Sequence, residues 1–191
     1  LQEINALDPS LPTVLAGHVT VSGAVTGSER TMMLGRDHVL LLSTVASPAL
    51  DYVALGHVHG HQTLYQSPLV VYSGSLQRVD FSEEEDTKGF CVVELDPARS
   101  RGQRLTDFAF KPVNARPFVT IEAKVEADDR DPTDAVVKAI SRKFVEGAVV
   151  RVRIELPEEL EPLLRGTAIR EALKGASYVA AIERRVARQR R

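Results

Sequence analysis

His57 and His59 close the run Tyr52-Val53-Ala54-Leu55-Gly56-His57-Val58-His59, in which an apolar segment meets a glycine and then two imidazoles. In an extended chain, residues i and i+2 point to the same side, so the two rings are expected to reach one site. Gly56 has no Cβ and lets backbone and ligand approach closely. Imidazole is the commonest side-chain metal ligand and suits Mn, Fe, Zn or Cu. The competing account is two satisfied or exposed loop histidines. A second run, Leu11-Pro12-Thr13-Val14-Leu15-Ala16-Gly17-His18, repeats the order of apolar segment, glycine and histidine. If both strands finish at the same sheet edge, His18 lies beside His57 and His59, where open α/β sheets hold their ligands.

Three imidazoles can hold one metal with an open position for water or substrate. They can equally be part of a two-metal site that takes its other ligands from elsewhere. Carboxylates to bridge two ions are not evident. Glu3 and Asp8 have no motif around them, Asp51 lies at the far end of its strand from His57, and Asp80 and Glu83 to Glu85 look like turn residues. The His-x-His-x-Asp-His run of metallo-β-lactamase-like hydrolases fails, since position 61 is His61 and no aspartate follows. The cupin pattern fails for want of a glutamate in Gln62-Thr63-Leu64-Tyr65-Gln66, and no Gly-x-Ser-x-Gly elbow exists. Tyr72-Ser73-Gly74-Ser75 reads as a tight turn after a strand. Its backbone N–H groups could face a phosphate, or it could be a plain loop. Ser73, Gly74 and Ser75, with Arg78 beyond them, are the candidate substrate contacts. His38 is expected in a solvated polar turn, and His61 as a neighbour of the motif and not a ligand.

The elements that position these residues fall into two parts. Residues 1–112 hold short β-like runs at Thr13–Ala16, Tyr52–Leu55, Leu69–Tyr72, Phe90–Leu95 and Leu105–Lys111. Val39–Val45 is ambiguous between helix and strand. Leu50–Leu55 and Leu69–Tyr72 lack polar alternation, as strands covered on both faces do. Gly23, Gly27, Gly35 and Pro48 punctuate the connections. From residue 116 the rhythm changes. Phe118–Val125 alternates as a half-buried strand, and Asp131-Pro132 opens a helix. That helix, Ala135–Phe144, carries Val136, Val137, Ile140 and Phe144 on one stripe. A strand at Val149–Leu156, a helix at Thr167–Lys174 and a strand at Tyr178–Val186 complete a strand–helix–strand–helix–strand module. Asn114-Ala115-Arg116-Pro117 is the expected joint, because Pro117 biases Arg116 away from helix.

The chain has 191 residues, of which 43% are hydrophobic and 26% charged, the balance of an ordinary globular protein. No apolar run approaches the roughly 20 residues that span a bilayer, and no secretory leader is recognisable. Cys91 is the only cysteine, so no internal disulfide forms, and it reads as a small core residue. Residues 1–115 carry 8 Lys and Arg against 13 Asp and Glu, a net of −5; residues 116–191 carry 16 against 13, a net of +3. The basic excess sits in Arg184, Arg185, Arg188, Arg190 and Arg191, a tail that can bind phosphate backbones or simply be solvated. The chain starts at Leu1 without a methionine, and a piece of a larger protein is expected.

Asp51 to His59, then Val70-Val71-Tyr72-Ser73-Gly74-Ser75-Leu76-Gln77-Arg78-Val79-Asp80-Phe81, then Lys88-Gly89-Phe90, resemble in order and spacing the SbcD-type nuclease subunits of the calcineurin-like metallophosphoesterase superfamily. Gly56-His57-Val58-His59 and Gly17-His18 match the last metal motifs of that superfamily, and the resemblance runs along the whole chain. It implies an α/β fold: the later half of a two-sheet metallophosphoesterase sandwich flanked by helices over residues 1–114. A small α+β (βαβαβ) capping domain that contacts DNA would follow over residues 115–191. It implies two divalent ions, Mn²⁺ first and Mg²⁺ as the alternative, with His59 on one metal and His57 and His18 on the other. The Asp-x-His motif, the bridging aspartate and the Asn-His pair that supplies the general acid are expected upstream. No catalytic residue is therefore expected within this chain, which should bind metal weakly and cleave nothing alone.

For the intact protein the resemblance implies a metal-dependent DNA exonuclease/endonuclease. It would hydrolyse phosphodiester bonds in double-strand-break repair, in the cytoplasm, with an SbcC-type ATPase and as a homodimer, without a membrane anchor. The alternatives are another calcineurin-like phosphoesterase, acting on cyclic nucleotides or phosphoproteins, and a non-catalytic DNA-binding or dimerisation role.

Overall fold

A computed structural model describes residues 2–27 and 38–187. Gly35, Arg188, Arg190 and Arg191 lie outside the described residues. The chain divides into two compact units, Leu1–Ala115 and Arg116–Arg191.

In unit 1 a short helix, α1 (Gln2–Ala6), precedes β1 (Val14–His18) and β2 (Thr20–Val21). The ambiguous segment Val39–Val45 splits between both readings, into β3 (Val39–Leu40) and α2 (Leu42–Val45). There follow β4 (Tyr52–Gly56), β5 (Gln62–Gln66), β6 (Leu69–Tyr72), a 3₁₀ turn (Phe81–Glu83), β7 (Gly89–Leu95) and β8 (Leu105–Pro112). The main sheet has the order β1-β4-β6-β5, with β1, β4 and β6 parallel and β5 antiparallel at the edge. Pairing sets His18 opposite Gly56 and Leu55 opposite Tyr72, so β1, β4 and β6 all run toward the same edge.

β4 and β6 are apolar throughout because both their faces are covered. Val53, Leu55, Val70 and Tyr72 pack on one side with Val21, Val45, Leu50 and Val58. Tyr52, Leu69 and Val71 pack on the other, against Cys91, Val93, Leu105 and Phe108 of the β7–β8 hairpin. Each such side chain contributes about 1.5–3 kcal/mol by its removal from water. At the far end of β4 from the histidines, the Asp51 carboxylate accepts from the N–H groups of Thr13 (2.8 Å), Gly102 (2.7 Å) and Arg104 (3.1 Å) and lies 3.4 Å from Arg104 Nη1. Arg104 also donates to the carbonyls of Pro9, Leu11 and Arg99. Asp51 is thus a structural anchor.

Unit 2 comprises β9 (Phe118–Lys124), α3 (Pro132–Ser141), β10 (Val149–Pro157), a 3₁₀ segment (Glu158–Leu163), α4 (Gly166–Ala172) and β11 (Tyr178–Ala187). Its three strands are all parallel, in the order β11-β10-β9, with β10 central. A helical crossover between each strand pair is what parallel pairing requires. The Asp131 side chain caps α3 by accepting from the N–H groups of Thr133 and Asp134, and Pro132 sits at the first turn. Val150, Val152, Ile154 and Leu156 of β10 alternate into a core with Val136, Ile140, Ile169 and Leu173. The intervening Arg153 pairs with Glu122 and Glu183 of the flanking strands, both at 3.2 Å.

Phe144 departs from expectation. It is 79% exposed, because α3 ends at Ser141 and the stripe stops with it. Of the basic tail, Arg184 lies 3.4 Å from Glu161 and Arg185 4.0 Å from Glu183. No helix among the described residues is long and apolar enough to cross a membrane.

Candidate functional site

The parallel strands β1 and β4 end together, and two histidines leave the sheet at that edge. His18 is the last residue of β1, with its Nδ1 lying over Gly56: a Cβ built on Gly56 would sit 3.1 Å from that nitrogen. The close approach foreseen at Gly56 is therefore made by the His18 ring. His57 follows with φ +96°, a backbone conformation uncommon outside glycine. The two rings meet edge to face, with centroids 5.1 Å apart and planes at 76°. They line a cavity of about 270 Å³ together with Val19, Thr20 and His38. Sequence placed His38 in an unrelated turn; although exposed, it borders this cavity. Thr20 Oγ1 is buried there with no hydrogen-bond partner among the described residues.

His59 does not share that cavity. Strand alternation stops at Gly56, and the left-handed turn at His57 removes the geometry that would have kept His57 and His59 on one side. His59 Nδ1 instead lies 2.8 Å from Glu83 Oε1. Glu83 is only 4% exposed, and its Oε2 accepts from Lys88 Nζ (2.7 Å) and the Val79 N–H (3.1 Å). Lys88, itself 2% exposed, also reaches Asp86 (3.1 Å) and donates to the His59 carbonyl (3.2 Å). Burial works to raise the pKa of Glu83. The hydrogen bonds from Lys88, His59 and the Val79 N–H outweigh it and hold the carboxyl below its ordinary range.

Sequence reasoning missed Glu83, which sits in a run of acids that reads as a solvated turn. The available signal was Lys88 five residues on, a cation needing a partner once buried. Glu83 and His59 border a second cavity of about 280 Å³, with Gln62, Ser82 and Asp86 among its walls. Among the described residues, no three His, Cys, Asp or Glu side chains converge as a metal-holding group. The structure brings His18 and His57 together and turns His59 toward Glu83.

The candidate substrate contacts Ser73, Gly74, Ser75 and Arg78 are half-buried and bonded within the protein. Gly74 has φ +79°, and a Cβ on it would lie 2.8 Å from the His59 carbonyl oxygen and 2.9 Å from the His61 nitrogen. The Ser75 N–H donates to the His59 carbonyl (3.0 Å) and the Ser73 N–H to that of Leu55 (3.4 Å). The turn thus clamps the histidine loop, and these two N–H groups are used inside the protein. Arg78 donates to the carbonyls of Glu83, Glu84 and Asp86 at 2.7–3.1 Å, so its guanidinium holds the 3₁₀ turn. His61 stacks on Phe110 with ring centroids 4.0 Å apart, and its Nδ1 lies 2.9 Å from the Tyr72 carbonyl oxygen, as befits a packed neighbour.

No protein-family model matches the chain. Among curated proteins it is similar to the SbcD subunit of the SbcCD nuclease of Staphylococcus epidermidis, at 30% identity over 131 residues, 68% of this chain and 32% of that protein. The SbcD protein of Staphylococcus saprophyticus is 33% identical over 102 residues, 53% of this chain and 25% of that protein. That of Rhodobacter capsulatus is 35% identical over 92 residues, 47% and 22% respectively. This chain is homologous to SbcD-type nuclease subunits. It spans about a quarter to a third of the SbcD-type relatives it matches.

Proposed function

We propose that this chain is part of a two-metal DNA exonuclease/endonuclease that hydrolyses phosphodiester bonds in double-strand-break repair. The observation that carries this reading is the pairing of His18 with His57 at the shared end of β1 and β4, in a chain homologous to SbcD-type subunits. His18 and His57 hold one divalent ion, and His59 a second, most suitably Mn²⁺ or Mg²⁺. The donor chemistry fits. These are imidazoles at a strand edge, one with its Nδ1 fixed by a buried carboxylate, which is how ligating histidines are oriented. The bridging carboxylate, the remaining ligands and the general acid come from outside these residues, so the chain alone binds metal weakly and has no turnover.

Held by His18, His57 and His59, such ions would supply Lewis-acid activation of a water nucleophile and neutralisation of charge on phosphorus. Residues 1–114 serve as the later part of the nuclease core. Residues 115–191, with their net charge of +3, cap it and contact DNA. The whole protein works in the cytoplasm as a homodimer with an SbcC-type ATPase.

The test is Mn²⁺-dependent cleavage of end-labelled DNA by the protein extended on its N-terminal side, beside this chain and a small phosphodiester. Cleavage of DNA by the extended protein alone supports the proposal. Turnover of only the small phosphodiester points to a generic phosphoesterase, and no turnover of either favours a binding role.

A further inference from the structure

We propose that Glu83 is a positioning residue that fixes the tautomer of His59 and thereby sets which ring nitrogen meets the metal. The inference rests on the assignment of His59 as a ligand made above. With its Oε1 at 2.8 Å, the Glu83 carboxylate can only accept, so the ring proton resides on Nδ1 and the lone pair on Nε2. Glu83 is held independently of His59. Its second oxygen takes Lys88 Nζ and the Val79 N–H, and its backbone carbonyl takes Arg78 Nε at 3.0 Å. Asp80 caps the same 3₁₀ turn, with its Oδ1 accepting from the Ser82 N–H at 2.7 Å. Lys88 grips His59 from both ends, through Glu83 at the ring and directly at the carbonyl. A carboxylate anchored from so many directions is a fixed reference for the imidazole it touches. Both its oxygens are engaged, so it serves the metal through His59 and not as a ligand itself.

Glu83→Gln makes the inference sharp. Lys88 and the Val79 N–H both demand an acceptor, so the amide oxygen must face them and the amide NH₂ must face His59. Nδ1 then has to accept, and the proton moves to Nε2, where it blocks ligation. The experiment is long-range ¹H–¹⁵N NMR of the imidazoles at about pH 8, above the ordinary imidazole range, followed by titration with diamagnetic Zn²⁺, read as the ¹⁵N shift of each ring nitrogen that ligates, in this chain and in the protein extended on its N-terminal side. The unmodified chain should show His59 with the proton on Nδ1, and Glu83→Gln should show it on Nε2. Zn²⁺ affinity read at His59 should fall by about 10- to 100-fold, with the shifts of His18 and His57 retained. The His61 signal, fixed by its stack on Phe110, reports that the fold persists.

A His59 proton on Nε2 in the unmodified chain overturns the inference without any variant. So does a Zn²⁺-induced shift of His59 Nε2 that Glu83→Gln leaves unchanged. If Zn²⁺ shifts no imidazole nitrogen even in the protein extended on its N-terminal side, the metal assignment itself fails, a result distinct from a wrong tautomer.

Discussion

His18 rests over Gly56, its Nδ1 only 3.1 Å from where a Cβ would be. The backbone of Gly56 is ordinary strand, so alanine fits the main chain; its methyl crowds the ring and touches the Gly17 carbonyl oxygen only at an ordinary 3.9 Å. Gly56→Ala should push the His18 imidazole aside by a few tenths of an ångström and leave the sheet intact. We expect Mn²⁺ affinity to drop about tenfold, as when a ligand loses its support, with a melting temperature within a few degrees of the unmodified chain. Calorimetry for both quantities checks this, and unchanged affinity would show that the ring has room to spare.

The left-handed backbone of His57 stores strain of about 1 kcal/mol. Alanine ordinarily stabilises relative to glycine, but at φ +96° the order should invert. His57→Gly should exceed His57→Ala in stability by about 1 kcal/mol, since both lose the ring and only glycine relaxes the backbone. Urea titration of the pair decides it. An alanine variant as stable as the glycine one would mean that the strain is absorbed elsewhere.

Tyr72, wholly buried on β6, donates its hydroxyl to the Val19 carbonyl (2.7 Å) and accepts from the Val21 N–H (2.9 Å). It ties the central sheet to the corner that follows His18. Tyr72→Phe leaves both backbone groups without that partner, at about 1–3 kcal/mol. Loss of stability accompanied by a shifted His18 resonance is the expected NMR result. A stability loss without that shift would confine Tyr72 to the core.

Asp51 sets an acid limit on unit 1. Burial alone raises its pKa, and the N–H groups of Thr13, Arg104 and Gly102 with the Arg104 guanidinium reverse this, so the carboxyl titrates below its ordinary value. A pKa depressed on folding contributes stability that is complete above the unfolded value and is lost as pH falls through the folded one. Stability should therefore decline below about pH 4. Asp51→Asn should cost about 3 kcal/mol at neutral pH, by leaving the buried Arg104 short of its counter-charge, and should flatten that acid limb. Denaturant titrations across pH 2–7 test it, and an acid limb of undiminished slope would assign it to other carboxylates such as Glu83.

The sheet edge was legible because Gly17-His18 and Gly56-His57 repeat one pattern, and parallel strands of matching register carry that pattern to the same place. The side on which His59 falls was not legible. It depends on the φ of His57, which the surrounding packing sets and no local propensity announces. Glu83 was hidden for a related reason: its burial is created by Lys88 and the 3₁₀ turn, and a row of acids gives no sign of which one turns inward. β5 escaped notice because an edge strand of Gln62-Thr63-Leu64-Tyr65-Gln66 carries little apolar periodicity. Phe144 misled in the opposite direction, extending an apolar stripe past the residue where the helix stops.

Arg104 reaches back 95 residues to the Pro9 carbonyl and 93 to that of Leu11, whereas Arg153 finds Glu122 and Glu183 only 31 and 30 residues away. Closing a longer loop costs more entropy, and folding slows as contacts become more distant in sequence. Residues 116–187 should therefore acquire their native hydrogen bonds first, although they come second in the chain, and residues 9–13 should be locked last. Pulsed hydrogen exchange during refolding reads this as early protection of the Val152 amide and late protection of the Thr13 amide, and the reverse order would show that the Arg104 link forms ahead of the local ladders.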